Sequence, residues 1–285
     1  MKKYLISLLG LLCLSLPLLA GGKVITESVQ SAVLGTEVKY NVYLPEGYDS
    51  ANHYPVIYLL HGLSDTYNIW VDWGKADWVA NEFIKSGECI PCVIIMPNAG
   101  GTPVATTWNG YFNMPGWNYE DFFFTEFIPE VEKKFNAGGS KGQRAVMGLS
   151  MGGGGSVVYC QRHPEMFSSC YAMSAWLDNK EQGVSPHKGE EDCLYYVCKS
   201  VCDNSAIDFV KFADSKTIES LKTVKWFINC GDDDSLLGLS VELYQLLREK
   251  GVKCELRVCD GIHNWEYWHN ALRTSLPFAS RNFYE

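Results

Sequence analysis

The chain is short of positive charge. Lys and Arg number 24 against 33 Asp and Glu, a net charge of −9. That balance argues against nucleic acid or an anionic membrane surface as partner. Long apolar runs are nearly missing too. One exists, Tyr4–Ala20, behind Met1-Lys2-Lys3 and ahead of Ala20-Gly21-Gly22. It falls short of the ~20 residues a membrane span needs, and Pro17 interrupts it. Two lysines, a short greasy stretch and a small-residue exit read as a secretory signal peptide over residues 1–22, with an uncleaved anchor as the alternative. Cys13 sits mid-run after Leu12 rather than after a small residue, so a lipidated leader is not expected. A secreted or periplasmic location follows. No internal repeat, low-complexity tract or linker divides the remainder, so residues 23–285 read as a single domain.

Cysteine is not scarce: eleven occur, ten of them beyond the leader. An exported chain of this kind is expected to carry some disulfides. Cys89 and Cys92 have CxxC spacing, and Cys193, Cys198 and Cys202 cluster. Cys160, Cys170 and Cys230 lie inside apolar segments, as buried small hydrophobes do. The cluster fits no standard zinc spacing and no second CxxC follows, so neither metal nor cofactor is expected.

Short β-rich runs alternate with helical ones. Expected strands are Glu37–Leu44, Val56–Leu60, Cys92–Met96, Arg144–Met147, Cys170–Ser174, Lys225–Cys230 and Cys254–Val258. Expected helices are Trp78–Lys85, Glu120–Phe135, Gly153–His163, Leu239–Lys250 and Trp265–Leu276. Runs such as Val56-Ile57-Tyr58-Leu59-Leu60 are apolar at every position, which suits strands covered on both faces of a mostly parallel sheet. The alternation implies an α/β sandwich with helices on both faces. Ligands should then bind beyond the carboxyl ends of the strands. Residues 177–214 resist assignment: either a partial lid inserted near the active site or an ordinary surface loop.

Arg144-Ala145-Val146-Met147-Gly148-Leu149-Ser150-Met151-Gly152 carries the chemistry. An apolar strand runs into Gly-x-Ser-x-Gly, and a helix follows. That is the layout of a nucleophile elbow, in which a strained turn lifts the serine hydroxyl clear of the backbone. Serine needs a base, and the base needs a carboxylate to fix its tautomer. Histidine is rare here, six in all, and only four follow Ser150. His163 precedes Pro164 near a helix end, His187 lies in the irregular stretch, and His269 is two turns into a helix. His263 directly follows the last strand and is the expected base. The acid should follow the strand ending at Gly231, where Asp232, Asp233 and Asp234 stand in a row. The need for a turn favours the later ones, and spacing does not choose between Asp233 and Asp234. Tyr58-Leu59-Leu60-His61-Gly62-Leu63 should supply the second half of an oxyanion hole, with the N–H groups of Leu63 and Met151 as donors. Trp108 and Tyr111, in a glycine-rich loop, and Trp265, beside His263, are the expected substrate-binding aromatics.

These segments resemble the esterase D-like branch of the α/β-hydrolases, and within it the feruloyl esterase modules of carbohydrate esterase family one. The matching stretches are Tyr58–Gly62, Gly148–Gly153, Cys230–Leu236 and Gly261–Trp268. The resemblance implies an α/β-hydrolase fold. It also implies a catalytic trio of Ser150, Asp234 and His263, since the family's acid is the fourth residue of Gly-x-x-Asp. It implies a secreted serine esterase that releases ferulic or related hydroxycinnamic acids from feruloylated arabinoxylan. The glycine run Gly152–Gly155 and the cysteine count depart from the pattern. Acetylxylan esterase or another carbohydrate acetyl esterase is the nearest alternative. An inactive carbohydrate-binding protein on the same scaffold is the alternative of a different class.

Overall fold

The computed structural model describes residues 21–180 and 192–284. Eight strands form the central sheet: β1 (Lys23–Ser31), β2 (Thr36–Leu44), β3 (Val56–Leu60), β4 (Val93–Pro97), β5 (Arg144–Leu149), β6 (Ser169–Met173), β7 (Lys225–Gly231) and β8 (Cys254–Cys259). Their order is β1-β2-β4-β3-β5-β6-β7-β8. β2 is antiparallel to β1 and to β4, and the remaining pairs are parallel.

The all-apolar strands are explained by two cores, one on each face. Tyr58, Leu60, Val146, Cys170 and Ile228 point to one side, among Phe122, Phe123, Phe127 and Val157. Ile57, Leu59, Ala145, Met147, Tyr171 and Phe227 point to the other, where helices Ala76–Ser86 and Trp265–Arg281 cover them. Alternate side chains leave opposite faces of a strand, so a strand in the middle of this sandwich must be apolar throughout.

Three expectations need revision. β1 is an additional strand; it lies at the sheet edge and is largely half-exposed, so it lacks the apolar run that marks a central strand. The single helix expected over 120–135 is three pieces, Tyr119–Phe122, a widened π turn Phe123–Phe127, and Ile128–Phe135. One extra residue in the turn accompanies the burial of Phe122, Phe123 and Phe127 together. The third concerns disulfides: no two of the ten described cysteines are bridged to each other, and seven of them are buried. Cys160, Cys170 and Cys230 are among the buried ones, and burial pushes the Cys230 thiol up to about 11.

The stretch 177–214 is neither wholly irregular nor wholly described. Helices Cys193–Asp203 and Ala206–Lys211 occupy its second half. The first of these is pinned to the loop after β4, because Cys193 N–H donates to Ala105 O at 2.9 Å. His187 and residues 181–191 of the candidate lid lie outside the described residues, as does the leader up to residue 20.

Candidate active site

The strand order reverses at β3, which is flanked by β4 on one side and β5 on the other. Chains leaving β3 and β5 therefore diverge and open a crevice at the carboxyl edge. Ser150 sits there, at the first position of helix Ser150–Arg162, with φ 52°. A non-glycine residue in the left-handed region is uncommon. It persists because the surroundings leave no alternative. A Cβ on Gly148 would meet Leu60 O at 2.7 Å, and one on Gly152 would meet His61 O at 2.5 Å. The unusual glycines that follow have the same cause: a Cβ on Gly153 would stand 2.9 Å from Ala175 Cβ, and one on Gly155 would stand 3.0 Å from the Tyr111 ring. A glycine inside a helix costs roughly 1 kcal/mol relative to alanine. Here the series lets the helix press against the loops after β3 and β6.

His263 follows β8 and reaches Ser150, with Nε2 to Oγ at 3.0 Å. Its Nδ1 is 2.8 Å from Asp234 Oδ2. The Asp234 side chain is fully buried, while the His263 ring remains one-third exposed. Burial alone would raise the Asp234 carboxyl. Hydrogen bonds from His263, from the Leu236 N–H (2.8 Å) and from Ser174 outweigh it and hold the group below its ordinary value. An ionised Asp234 accepts from Nδ1–H, which leaves Nε2 free to take the serine proton.

The three consecutive aspartates part company. Asp232 accepts the Gly261 N–H at 3.0 Å and ties the histidine loop to β7. Asp233 is exposed, and its N–H donates to Gly261 O. Only Asp234 turns inward. His163 lies away from Ser150, near Glu120 and Glu165. His269 donates from Nδ1 to Gly74 O at 2.8 Å.

The oxyanion loop lies beside the serine: a Cβ on Gly62 would be 3.7 Å from Ser150 Cβ. Neither the Leu63 nor the Met151 N–H is taken by a protein acceptor among the described residues. His61, quoted in the loop motif without a role for its side chain, braces this loop. Ala99 N–H donates to Nε2 at 2.9 Å, so Nδ1 carries the proton and donates to Gly62 O at 2.8 Å. Burial pushes His61 down to about 4, which keeps the ring neutral. In a planar trans peptide the carbonyl and the next N–H point opposite ways. Anchoring the Gly62 carbonyl therefore fixes the direction of the Leu63 N–H. Asn109, fully buried, accepts from Ser64 N–H and Gly101 N–H at 3.1 Å each. Nothing in the local sequence marks these roles, since the partners are 38 and 45 residues apart.

The expected aromatics divide. Tyr111 is 1% exposed and donates to His61 O at 3.0 Å. It is a buried prop behind the oxyanion loop and does not line a substrate approach. Glycine richness signalled a loop, but the tyrosine turns inward against Tyr119 and Tyr159. Trp108 is half-buried, 5.6 Å from the Tyr196 ring of the helical segment after residue 192. Trp265 is also half-buried and packs edge-on against Trp70 and Trp268. Among the described residues, no group of three or more His, Cys, Asp or Glu is placed to hold a metal.

Eight mostly parallel strands, a serine on a strand-to-helix turn and a histidine bonded to both serine and aspartate give the architecture of an α/β-hydrolase. The model of the family described as "Putative esterase" matches residues 31–279, and the chain belongs to that family. A solved structure entitled ferulic acid esterase is 43% identical, superposes with a TM-score of 0.87, and shares 92% of this chain and 99% of its own. The endo-1,4-beta-xylanase/feruloyl esterase of Xylanibacter ruminicola is 26% identical over 81% of this chain, which spans 28% of that relative's length. The ferulic acid esterase of Anaeromyces mucronatus, at 19% identity and a TM-score of 0.71 over 92% of each chain, shares the fold.

Proposed function

We propose that the chain is an exported esterase that frees hydroxycinnamic acids, ferulic acid foremost, from plant cell-wall polysaccharide through an acyl-enzyme on Ser150. The observation that carries the chemistry is the continuous hydrogen-bond chain from Ser150 Oγ through His263 to buried Asp234. The 43% identity to a ferulic acid esterase over nearly the whole chain supports the acyl group.

In this reading His263 Nε2 takes the serine proton as Oγ attacks the ester carbonyl. The Leu63 and Met151 N–H groups receive the oxyanion, the second at the start of a helix whose dipole favours negative charge. The imidazolium, paired with Asp234, then returns its proton to the departing alcohol. Water repeats the cycle and releases the acid. Each step moves a proton held at a named atom and needs no metal or cofactor.

Hydrolysis of methyl hydroxycinnamates, feruloylated oligosaccharides and acetylated xylan tests the substrate. Release of ferulate with a higher kcat/KM than acetate is expected. Deacetylation of xylan without ferulate release would replace this reading with a carbohydrate acetyl esterase. Export rests on the leader of residues 1–22. No helix among the described residues is long and apolar enough to cross a membrane. N-terminal sequencing of exported protein is expected to start within a few residues of Ala20–Gly22, and finding Lys2 retained would refute cleavage.

A further inference from the structure

A second feature adjoins His263. A cleft of about 690 Å³ lies beside the ring, lined by Trp73, Trp265 and Trp268 together with Lys75, Glu266 and His269. We propose that this cleft is the subsite for the sugar ring bearing the ester, with the Trp73 indole as its stacking platform. The proposal rests on the esterase reading above and names where the alcohol half of the substrate sits.

Three observations carry it. The first is position. His263 lines the cleft and bonds Ser150 through Nε2. The imidazolium must hand its proton to the leaving alcohol, so that half of the ester stands beside His263 while the acyl half stays on the serine.

The second is chemistry. Trp73 is 64% exposed, and with Trp78 it is one of two exposed tryptophans among the described residues. A sugar ring has an apolar C–H face and an edge of hydroxyls. An open indole face with a lysine and a glutamate beside it matches both. A flat phenolic ring is apolar on both faces and favours an enclosed slot instead.

The third is construction. The N–H groups of Trp73 and Gly74 both donate to Ile69 O, at 2.9 and 3.2 Å. The His269 ring clamps Gly74 O from the facing helix. A Cβ on Gly74 would meet Trp70 O at 2.6 Å, so no side chain fits there. Lys75, a non-glycine residue at φ 52°, completes the turn. Behind it, fully buried Trp70 stands edge-on to Trp265 at 5.2 Å. The exposed indole is thus held on a braced turn. Trp78 differs, because the Arg273 guanidinium lies 5.3 Å over its ring and covers one face.

The test compares two esters of the same acid, methyl ferulate and a feruloylated arabinoxylo-oligosaccharide, on Trp73→Ala, Trp73→Phe and Trp78→Ala. Trp73→Ala is expected to lower kcat/KM on the oligosaccharide on the order of tenfold, mainly through KM. Methyl ferulate should stay within about twofold, which also reports an intact fold and triad. Trp73→Phe should recover most of the loss, and Trp78→Ala should change neither ester. Equal losses on both esters, or none on the oligosaccharide, would overturn the subsite. If the wild type cleaves neither feruloyl ester, the acyl reading fails by itself. The subsite then predicts the same Trp73 dependence for acetylated oligosaccharide against an alkyl acetate, and its absence there would overturn it.

Discussion

The two halves of the candidate site are held in place by different means. At the centre of the sheet, Ser150 and the Gly62–Leu63 loop are fixed by backbone packed on backbone. Gly148 and Gly152 have no room for a methyl group, and neutral His61 is wedged between Ala99 N–H and Gly62 O. At the far end, His263 hangs from a loop beyond edge strand β8, one-third exposed, with exposed Val258 and Ile262 nearby. Its position depends on side-chain hydrogen bonds to Asp234 and on the Asp232–Gly261 tie. The nucleophile's place is therefore a property of the fold, and the base's place a property of a few polar contacts. Changes to the packing that holds the centre should show in stability, and changes to the reacting groups or to the polar contacts of the arm should show in catalysis.

The largest expected effects fall on the reacting groups themselves. Ser150→Ala and His263→Ala should each lower kcat on the order of 10³-fold or more, because the trio acts as one unit. The unfolding midpoint should hardly move. Loss of labelling by a fluorophosphonate in Ser150→Ala, with folding intact, checks both halves of the statement. Gly152→Ala should do the reverse and act through the fold. Its methyl group meets two main-chain oxygens, His61 O and Leu60 O, at 2.5 Å. A cost of about 3 kcal/mol is expected from a clash that no side chain can relieve. Urea unfolding measures it, and an unchanged midpoint would break the contrast drawn above.

Next come the adjacent aspartates. Asp234→Asn should lower kcat about 10²-fold or more by favouring the wrong imidazole tautomer. Asp233→Asn, at an exposed side chain, should stay within about twofold. The reverse pattern would move the acid assignment to Asp233.

The smallest effect tests the centre through pH. Burial raises the Asp65 carboxyl from 3.8 to about 6, partly offset by a hydrogen bond with the Gly62 backbone. The folded state thus keeps a proton that the unfolded chain has lost. Stability attributable to this group falls as pH rises through that window, and the cost is complete above it. Asp65→Asn removes the cost. After discounting for partial exposure, about 1 kcal/mol of stabilisation is expected at pH 8 and little at pH 4. Thermal unfolding at the two pH values reads it, and an equal gain at both would show that ionisation is not involved.

The sequence by itself determined the elements that local pattern encodes. Apolar runs at every position give strands covered on both faces, and β3, β4, β5 and β7 fall where those runs do. Gly-x-Ser-x-Gly between strand and helix gave the elbow, and order along the chain singled out His263 after the final strand. Edge strand β1 escaped because a half-exposed strand carries no apolar run. The expected disulfides do not join any two of the described cysteines, since cysteine count says nothing of which thiols face each other.

What only the tertiary structure decided is contact between distant residues. Three neighbouring aspartates look alike in sequence, and the path of the loop after β7 buries Asp234, ties Asp232 to Gly261 and exposes Asp233. Tyr111 and Trp73 are both aromatic residues near turns, yet one is a buried prop behind the oxyanion loop and the other an exposed platform beside His263. The state of His61 depends on Ala99, and the glycine run after Ser150 depends on Ala175 and Tyr111. Local sequence sets periodicity and turn chemistry through forces that act over a few residues. Burial, tautomer and the use of an aromatic ring are set by whatever the rest of the chain brings within a few ångströms.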